Sequence, residues 1–289
     1  MSGLETGPIR RVLLALDAAG PGPATLDAAA GLAFRLDAEL AAVLVEEADL
    51  LRATALPSSR HLALPGGERL DLDAVGAGVR ASADRARSLL EAAAARRQVR
   101  WSFQAMRERA VRELLETGGA EELLVVERPR DRLAGMGGLT GLLGAATAGT
   151  RPVLVLGPAM RPGGARPGGR VSVVWDESES AAAALDLALR ICRGVAEGPS
   201  LLVAAAHLAE AERLAGAAAP RAGRWLSWRW AGGSTPGDLL RSLPLDAVLV
   251  VGAGSPAAGG ASGRARLLRE ARGPVLLVRR PDAPAPLPG

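Results

Sequence analysis

Short apolar runs and amphipathic stretches alternate along the chain. The segment "IRRVLLALD" is an apolar run of buried-strand type, and "AAGPGPATLDAAAGLAFRLDAEL" follows it with Leu26, Ala29, Ala30, Ala33 and Phe34 at helical spacing. The pattern continues with strand-type "ELAAVLVE", a helical stretch from Leu72 to Arg97, strand-type "QVRWSFQAM", helical "AVRELLETG" and strand-type "ELLVVE". A short helix near Leu139 to Ala148 and a last strand, "PVLVLG", complete the series. Strands in strict alternation with helices predict an α/β fold with a parallel sheet, because each parallel connection needs a crossover.

Pro158 to Arg170, "PAMRPGGARPGGR", has no apolar periodicity and reads as a linker. Beyond it the pattern starts again. "RVSVVWDES" repeats "RVLLALDAA", so Asp176 follows its strand as Asp17 follows the first, 159 residues earlier. Trp101 to Glu127 lies over Leu226 to Gly252 at a constant offset of 125, and "RPVLVLG" answers "GPVLLVR" at an offset of 122. Three anchors in one order mark an internal duplication. The change of offset gives the first half roughly 34 extra residues between its second and third strands. Most of them fall in "EADLLRATALPSSRHLALPGGERLD", while Leu208 to Ala219 is long enough to be the second half's crossover helix. The expected division is 1–158 with an insertion at about 46–70, a linker at 159–169, a second, shorter unit at 170–280 and a Pro-rich tail at 281–289.

Composition changes this picture little. All 35 basic residues are Arg, which accounts for much of the sequence pI of 10.8, yet the formal charge is only +4 and acidic residues are interleaved throughout. The Arg clusters therefore read as solvated helix faces, and no nucleic-acid partner is expected. The uncharged run Leu133 to Thr150 holds six glycines and three threonines and makes a poor membrane span. With no secretory pattern at the N-terminus and a lone Cys192 in a helical run, a cytoplasmic protein without a membrane partner is expected.

Two tandem α/β units, each opening on a strand that ends in Asp and closing on a "PVL-V" strand, resemble the universal stress protein family. "VEEADLLRATALP" (Val45 to Pro57) is similar to an insertion seen after the second strand in tandem members. The resemblance covers nearly the whole chain. It implies two doubly wound parallel five-stranded sheets of order 3-2-1-4-5, adenine-nucleotide α-hydrolase-like, with helices on both faces. It also implies a non-catalytic stress-response or regulatory protein whose halves pack as a pseudo-dimer. Members commonly pair through the last strand, which makes Val153 to Leu156 and Val275 to Val278 the candidate edge strands for that contact or for binding a protein partner.

In the family's ATP-binding branch, an Asp ending the first strand helps hold the nucleotide, and glycines spaced G-x-x-G, nine residues, then G-[S/T] grip the phosphates. Asp17 and Asp176 match that Asp. In the first half, Glu127 and Arg130 stand at the opening glycine positions and the closing position falls near Thr140. In the second half, Gly252 matches, Ser255 replaces the second glycine, and the closing pair falls near Ala261 and Ser262 in a shorter loop.

Asp17, Glu46 and Glu127 belong at the carboxyl edge of the first half's sheet, where they repel phosphate unless Arg128, Arg130 or a Mg²⁺ offsets them. Asp176, His207, Gly252, Gly254 and Ser255, with Ser262, belong at the equivalent edge of the second half and form the candidate nucleotide site. A sensor binding ATP with Mg there is the alternative to the non-catalytic reading, and a nucleotide hydrolase is a further one. A Ser, His and Asp together invite a catalytic triad, but no G-x-S-x-G elbow surrounds Ser255, so no catalytic residue and no enzyme is expected. No residue spacing specifies a metal, and His61 stands without a partner ligand in sequence. Trp228 and Trp230 share one face of a strand and are expected to pack under helices. The glycine-dense "GMGGLTGLLG" (Gly135 to Gly144) begins nine residues beyond Val126, too far for a phosphate cradle; it reads as a turn followed by a closely packed short helix.

Overall fold

The computed structural model describes residues 8–16, 22–46, 72–128, 150–157, 170–195, 198–222, 227–244 and 247–279. Asp17, His61, Arg130, the 135–144 glycine stretch, the short helix expected near 139–148, the insertion beyond Glu46, the linker and the Pro-rich tail lie outside them. Ten strands are present among the described residues: β1 (Arg11–Leu16), β2 (Glu39–Glu46), β3 (Trp101–Arg107), β4 (Glu122–Glu127), β5 (Val153–Leu156), β6 (Val171–Trp175), β7 (Ser200–Val203), β8 (Ser227–Trp230), β9 (Val248–Gly252) and β10 (Val275–Val278). The α-helices among the described residues are α1 (Pro23–Leu36), α2 (Leu72–Arg97), α3 (Glu108–Thr117), α4 (Glu179–Ile191), α5 (Leu208–Ala222), α6 (Pro236–Ser242) and α7 (Gly260–Glu270).

All ten strands belong to one sheet, in the order β3-β2-β1-β4-β5-β10-β9-β6-β7-β8. Each half has the expected order 3-2-1-4-5, and every pairing is parallel except β5 with β10. Where the sequence predicts two sheets, the halves therefore share a single one. The duplication shows in individual hydrogen bonds. Leu124 N–H donates to the Pro152 carbonyl at 2.9 Å, as Leu249 N–H does to that of Pro274; Arg128 N–H meets the Leu156 carbonyl at 3.0 Å and Ala253 N–H that of Val278 at 2.8 Å.

The central strands are continuous apolar runs because helices cover both faces of the sheet. One face packs under α1, α2, α4 and α5, through residues such as Leu26, Leu90, Leu185 and Leu214. The other packs under α3, α6 and α7, through Val111, Leu115, Leu239 and Leu267. At the junction, Val155 opposes Val275, Leu154 opposes Leu276 and Val153 opposes Leu277. Alternation sends Leu154, Leu156, Leu276 and Val278 into the first core and Val153, Val155, Val275 and Leu277 into the second, so each core runs unbroken from one half into the other. Two side chains also cross: an Arg35 Nη donates to the Ile191 carbonyl at 3.3 Å, and an Arg128 Nη to the Ala271 carbonyl at 2.8 Å.

Local chemistry sets the helix ends. Pro23 begins α1, Ser178 caps α4 by accepting from Ala181 N–H at 3.1 Å, and Thr235 with Asp238 forms a reciprocal capping box on α6. At the other end of α3, the fully buried Arg151 guanidinium donates to the Leu114 and Leu115 carbonyls at 2.6 and 2.8 Å and to Glu122 at 2.9 Å. It satisfies last-turn carbonyls at the negative end of the helix dipole. Gly118 leaves room for it, because a Cβ there would lie 1.7 Å from the guanidinium carbon and displace the Arg151 side chain. Trp230 packs against the first core and donates to the Ala205 carbonyl at 3.0 Å. Trp228, expected to pack in the same way, is instead 40% exposed, since β8 is an outer strand of the sheet.

Because both cores pass through the junction, the two halves are expected to unfold together. Leu276→Ala should cost about 2 to 5 kcal/mol, as a buried Leu truncation does, and urea unfolding followed by circular dichroism should remain one transition at a lower midpoint. Two separated transitions would contradict a shared core.

Candidate functional site

The candidate site of the second half lies at the carboxyl edge of β6 and β9. Asp176 leaves β6, and Glu177 adopts a left-handed φ of 62°, which turns the chain sharply into Ser178 and α4. One Asp176 carboxylate oxygen accepts from Ser178 N–H at 3.1 Å and from Ser178 Oγ at 2.6 Å. The other accepts from Ser255 Oγ and, at 3.3 Å, from Ala257 N–H. Ser255 is buried, and its own N–H closes a turn on the Gly252 carbonyl at 3.0 Å. Asp176 thus ties the loop after β9 to the start of α4.

The glycines serve the same contact. A Cβ on Gly252 would stand 2.4 Å from the carbonyl carbon and oxygen of Ser180, and one on Gly254 would stand 2.6 Å from Ser180 Oγ. The loop lies directly on the first turn of α4, so these glycines bring backbone against helix. His207 is exposed, and its carbonyl accepts from Ala211 N–H at 3.1 Å as α5 begins. Ser262 is exposed in the first turn of α7. Among the described residues, no hydrogen bond joins His207 or Ser262 to the Asp176–Ser255 pair, so the structure supplies no Ser-His-Asp relay.

In the first half, Glu127 occupies the position of Gly252. Its carboxylate accepts from Thr25 Oγ1 at 3.0 Å, over the first turn of α1. That turn has no acidic residue and no side-chain cap of its own, so a neighbouring carboxylate is favoured by the helix dipole. The sequence reading has Arg128 offsetting the acidic rim, but the structure turns its guanidinium toward the Ala271 carbonyl, and burial lowers its pKa. Neither Asp17 nor the Glu46 side chain falls within the described residues. Sequence reasoning missed both the Thr25–Glu127 contact and the role of Ser178. For the latter a signal existed, since "DESES" runs directly into an apolar helical pattern and offers a cap.

Cys192 is buried at the end of α4, and desolvation pushes its thiol up to about 11 despite the opposing effect of Arg35. Among the described residues no group of three or more His, Cys, Asp or Glu side chains is placed to hold a metal, and no helix is long and apolar enough to cross a membrane.

No protein-family model and no curated protein sequence matches the chain. Solved structures similar to the chain include universal stress proteins. A universal stress protein from Archaeoglobus fulgidus DSM 4304 is similar over 93% of this chain and 97% of its own, with a TM-score of 0.59 at 15% identity. A functionally unknown protein from Pseudomonas aeruginosa PAO1 gives 0.53 at 16% identity, over 95% of this chain and 94% of its own. A candidate universal stress protein from Pseudomonas aeruginosa UCBPP-PA14 gives 0.51 at 16% identity, over 93% of both chains. At these identities the likeness is one of fold, and it extends across both halves.

Two outcomes follow from this geometry. Asp176→Ala removes a charged acceptor from the buried Ser255 hydroxyl, and is expected to cost about 1.5 to 3 kcal/mol of stability in urea unfolding; an unchanged midpoint would show that Asp176 is not a structural clamp. Cys192 at pH 8 should react with iodoacetamide about two orders of magnitude more slowly than a free thiol, on thiolate fraction alone, and at the free rate once urea unfolds the chain. Fast native labelling would contradict the burial.

Proposed function

We propose that this chain is a non-catalytic stress-response or regulatory protein whose halves act as a covalently linked pseudo-dimer. The observation that supports this reading is that, at the carboxyl edge of each half, described polar groups bond to one another. Glu127 covers the first turn of α1, and Gly252 and Gly254 lie on Ser180 while Asp176 holds Ser255. The pseudo-dimer is supported by the antiparallel β5–β10 pairing, which joins the last strand of each half and leaves β3 and β8 as the outer strands of the sheet. Among the described strands, β3 and β8 are the edges that further self-association or a protein partner could use.

A second reading, a nucleotide-binding sensor, is favoured by the start of α7. Gly259 and Gly260 have φ values of 68° and 63°, no side chain caps the helix, and its first N–H groups follow the Ser255 loop directly. The Ser255 loop that leads to them is held by Asp176.

Calorimetric titration of Mg-ATP into wild type and Asp176→Ala separates the readings, with phosphate release followed in parallel. The expected result is no saturable heat up to about 1 mM nucleotide, a concentration matching only about 4 kcal/mol of binding, and no steady phosphate release. Saturable binding to wild type would favour the sensor, and steady release lost on changing Ser255 or His207 would favour a hydrolase.

A further inference from the structure

At the opposite end of the strands, the second half carries a cleft of about 440 Å³ with a mixed polar and apolar lining at the start of β6, β7 and β8. Parallel register sets Ser172 beside Ser200 and Ser200 beside Ser227, one row of hydroxyls on one face of the sheet. Two residues further along the same face stand Leu202 and Arg229, while Ser242 at the end of α6, Pro244, Trp228 and Arg170 complete the walls.

The duplication supplies an internal comparison. At the register positions of Ser172, Ser200 and Ser227 the first half places Leu13, Ala41 and Ser102. Leu13 is buried in the core under α3, as the family of contacts around Val111 and Leu115 requires. Ser172 is equally buried but polar. A hydroxyl where the sister half buries Leu forfeits apolar packing and needs a polar counterpart.

Its present partners satisfy it weakly. Ser172 Oγ lies 3.3 Å from Ser200 Oγ, and Ser200 Oγ lies 3.3 Å from the Val171 carbonyl, both longer than a good O–H···O bond. Such hydroxyls rotate readily toward a better acceptor. Two guanidinium groups, Arg170 and Arg229, line the cleft, and no carboxylate does so among the described residues. Among the described lining residues no base stands beside the serines to activate one of them, and the cleft is read as a binding site.

We propose that this cleft binds a small phosphate monoester, the serine row and the two Arg side chains holding the oxyanion, with Ser242 and Pro244 beside the rest of the ligand. Guanidinium groups grip phosphate by paired, charge-assisted hydrogen bonds, and hydroxyl donors add direction. The site stands apart from Asp176 and from any nucleotide at the other edge of the sheet.

The test is calorimetric titration of the full chain with ribose 5-phosphate, inorganic phosphate and ribose, repeated on Arg229→Gln and Ser172→Leu. The expected result is saturable binding of ribose 5-phosphate with Kd below about 1 mM, weakened at least tenfold in Arg229→Gln, and no binding of ribose. Ser172→Leu, which restores the residue type of the first half, should abolish binding while the chain stays folded by circular dichroism. If that variant fails to fold, the exposed Arg229→Gln still decides the matter. Absence of saturable heat with either phosphate compound, ribose binding as tight as that of ribose 5-phosphate, or unchanged affinity in Arg229→Gln would overturn the proposal.

Discussion

The antiparallel pairing of β5 with β10 is the constraint on which the rest of the molecule depends. Both strands are short and apolar on both faces, and either one left as an edge would present unpaired N–H and C=O groups beside exposed Val and Leu. Pairing them satisfies that edge within one chain and lines up the two helical layers, so the cores on both faces continue across the junction. In a homodimer the same contact would depend on protein concentration, whereas duplication in one chain makes it intramolecular.

The described part of the sheet's carboxyl edge is held by the chain's own side chains. In many doubly wound sheets the carboxyl ends of the strands are left open and a ligand satisfies the helix N-termini there. Here a carboxylate from β4 meets the first turn of α1, and the β9 loop is drawn onto α4 by Asp176. The halves reach this closure by different residues, Glu127 in one and its glycine counterpart Gly252 in the other. The opposite end diverges too, with an Arg151–Glu122 pair buried in the first half and a serine-lined cleft open in the second.

Most of the fold was legible in the sequence because it rests on periodicity. Apolar runs gave the strands, helical spacing gave α1, α2 and α5, and the constant offsets of 125 and 122 reappear as matched hydrogen bonds at Leu124 and Leu249. The site was legible only in part. Asp176 and Ser255 are hydrogen-bonded at one edge of the sheet, but no pattern in sequence tells whether a strand-end Asp faces a ligand or its own loop; that depends on how closely the Gly252 backbone approaches Ser180, where an added Cβ would stand 2.4 Å from the carbonyl. Thr25 and Glu127 are 102 residues apart and carry no local signal, and Arg151 precedes a proline in a segment where burial of a guanidinium has no sequence signature. The exposure of Trp228 was misread because alternation fixes a side chain's face and says nothing of whether the strand lies at an edge.

Amide hydrogen exchange over residues 252–258, with and without Mg-ATP, tests the central claim most directly. Closure by the chain itself predicts slow exchange at the Ser255, Ala257 and Ala258 amides, each hydrogen-bonded within the loop or to Asp176, and no change when nucleotide is added. Rapid exchange in the free protein that becomes slow with Mg-ATP would contradict it, since the loop would then be open and waiting for a ligand.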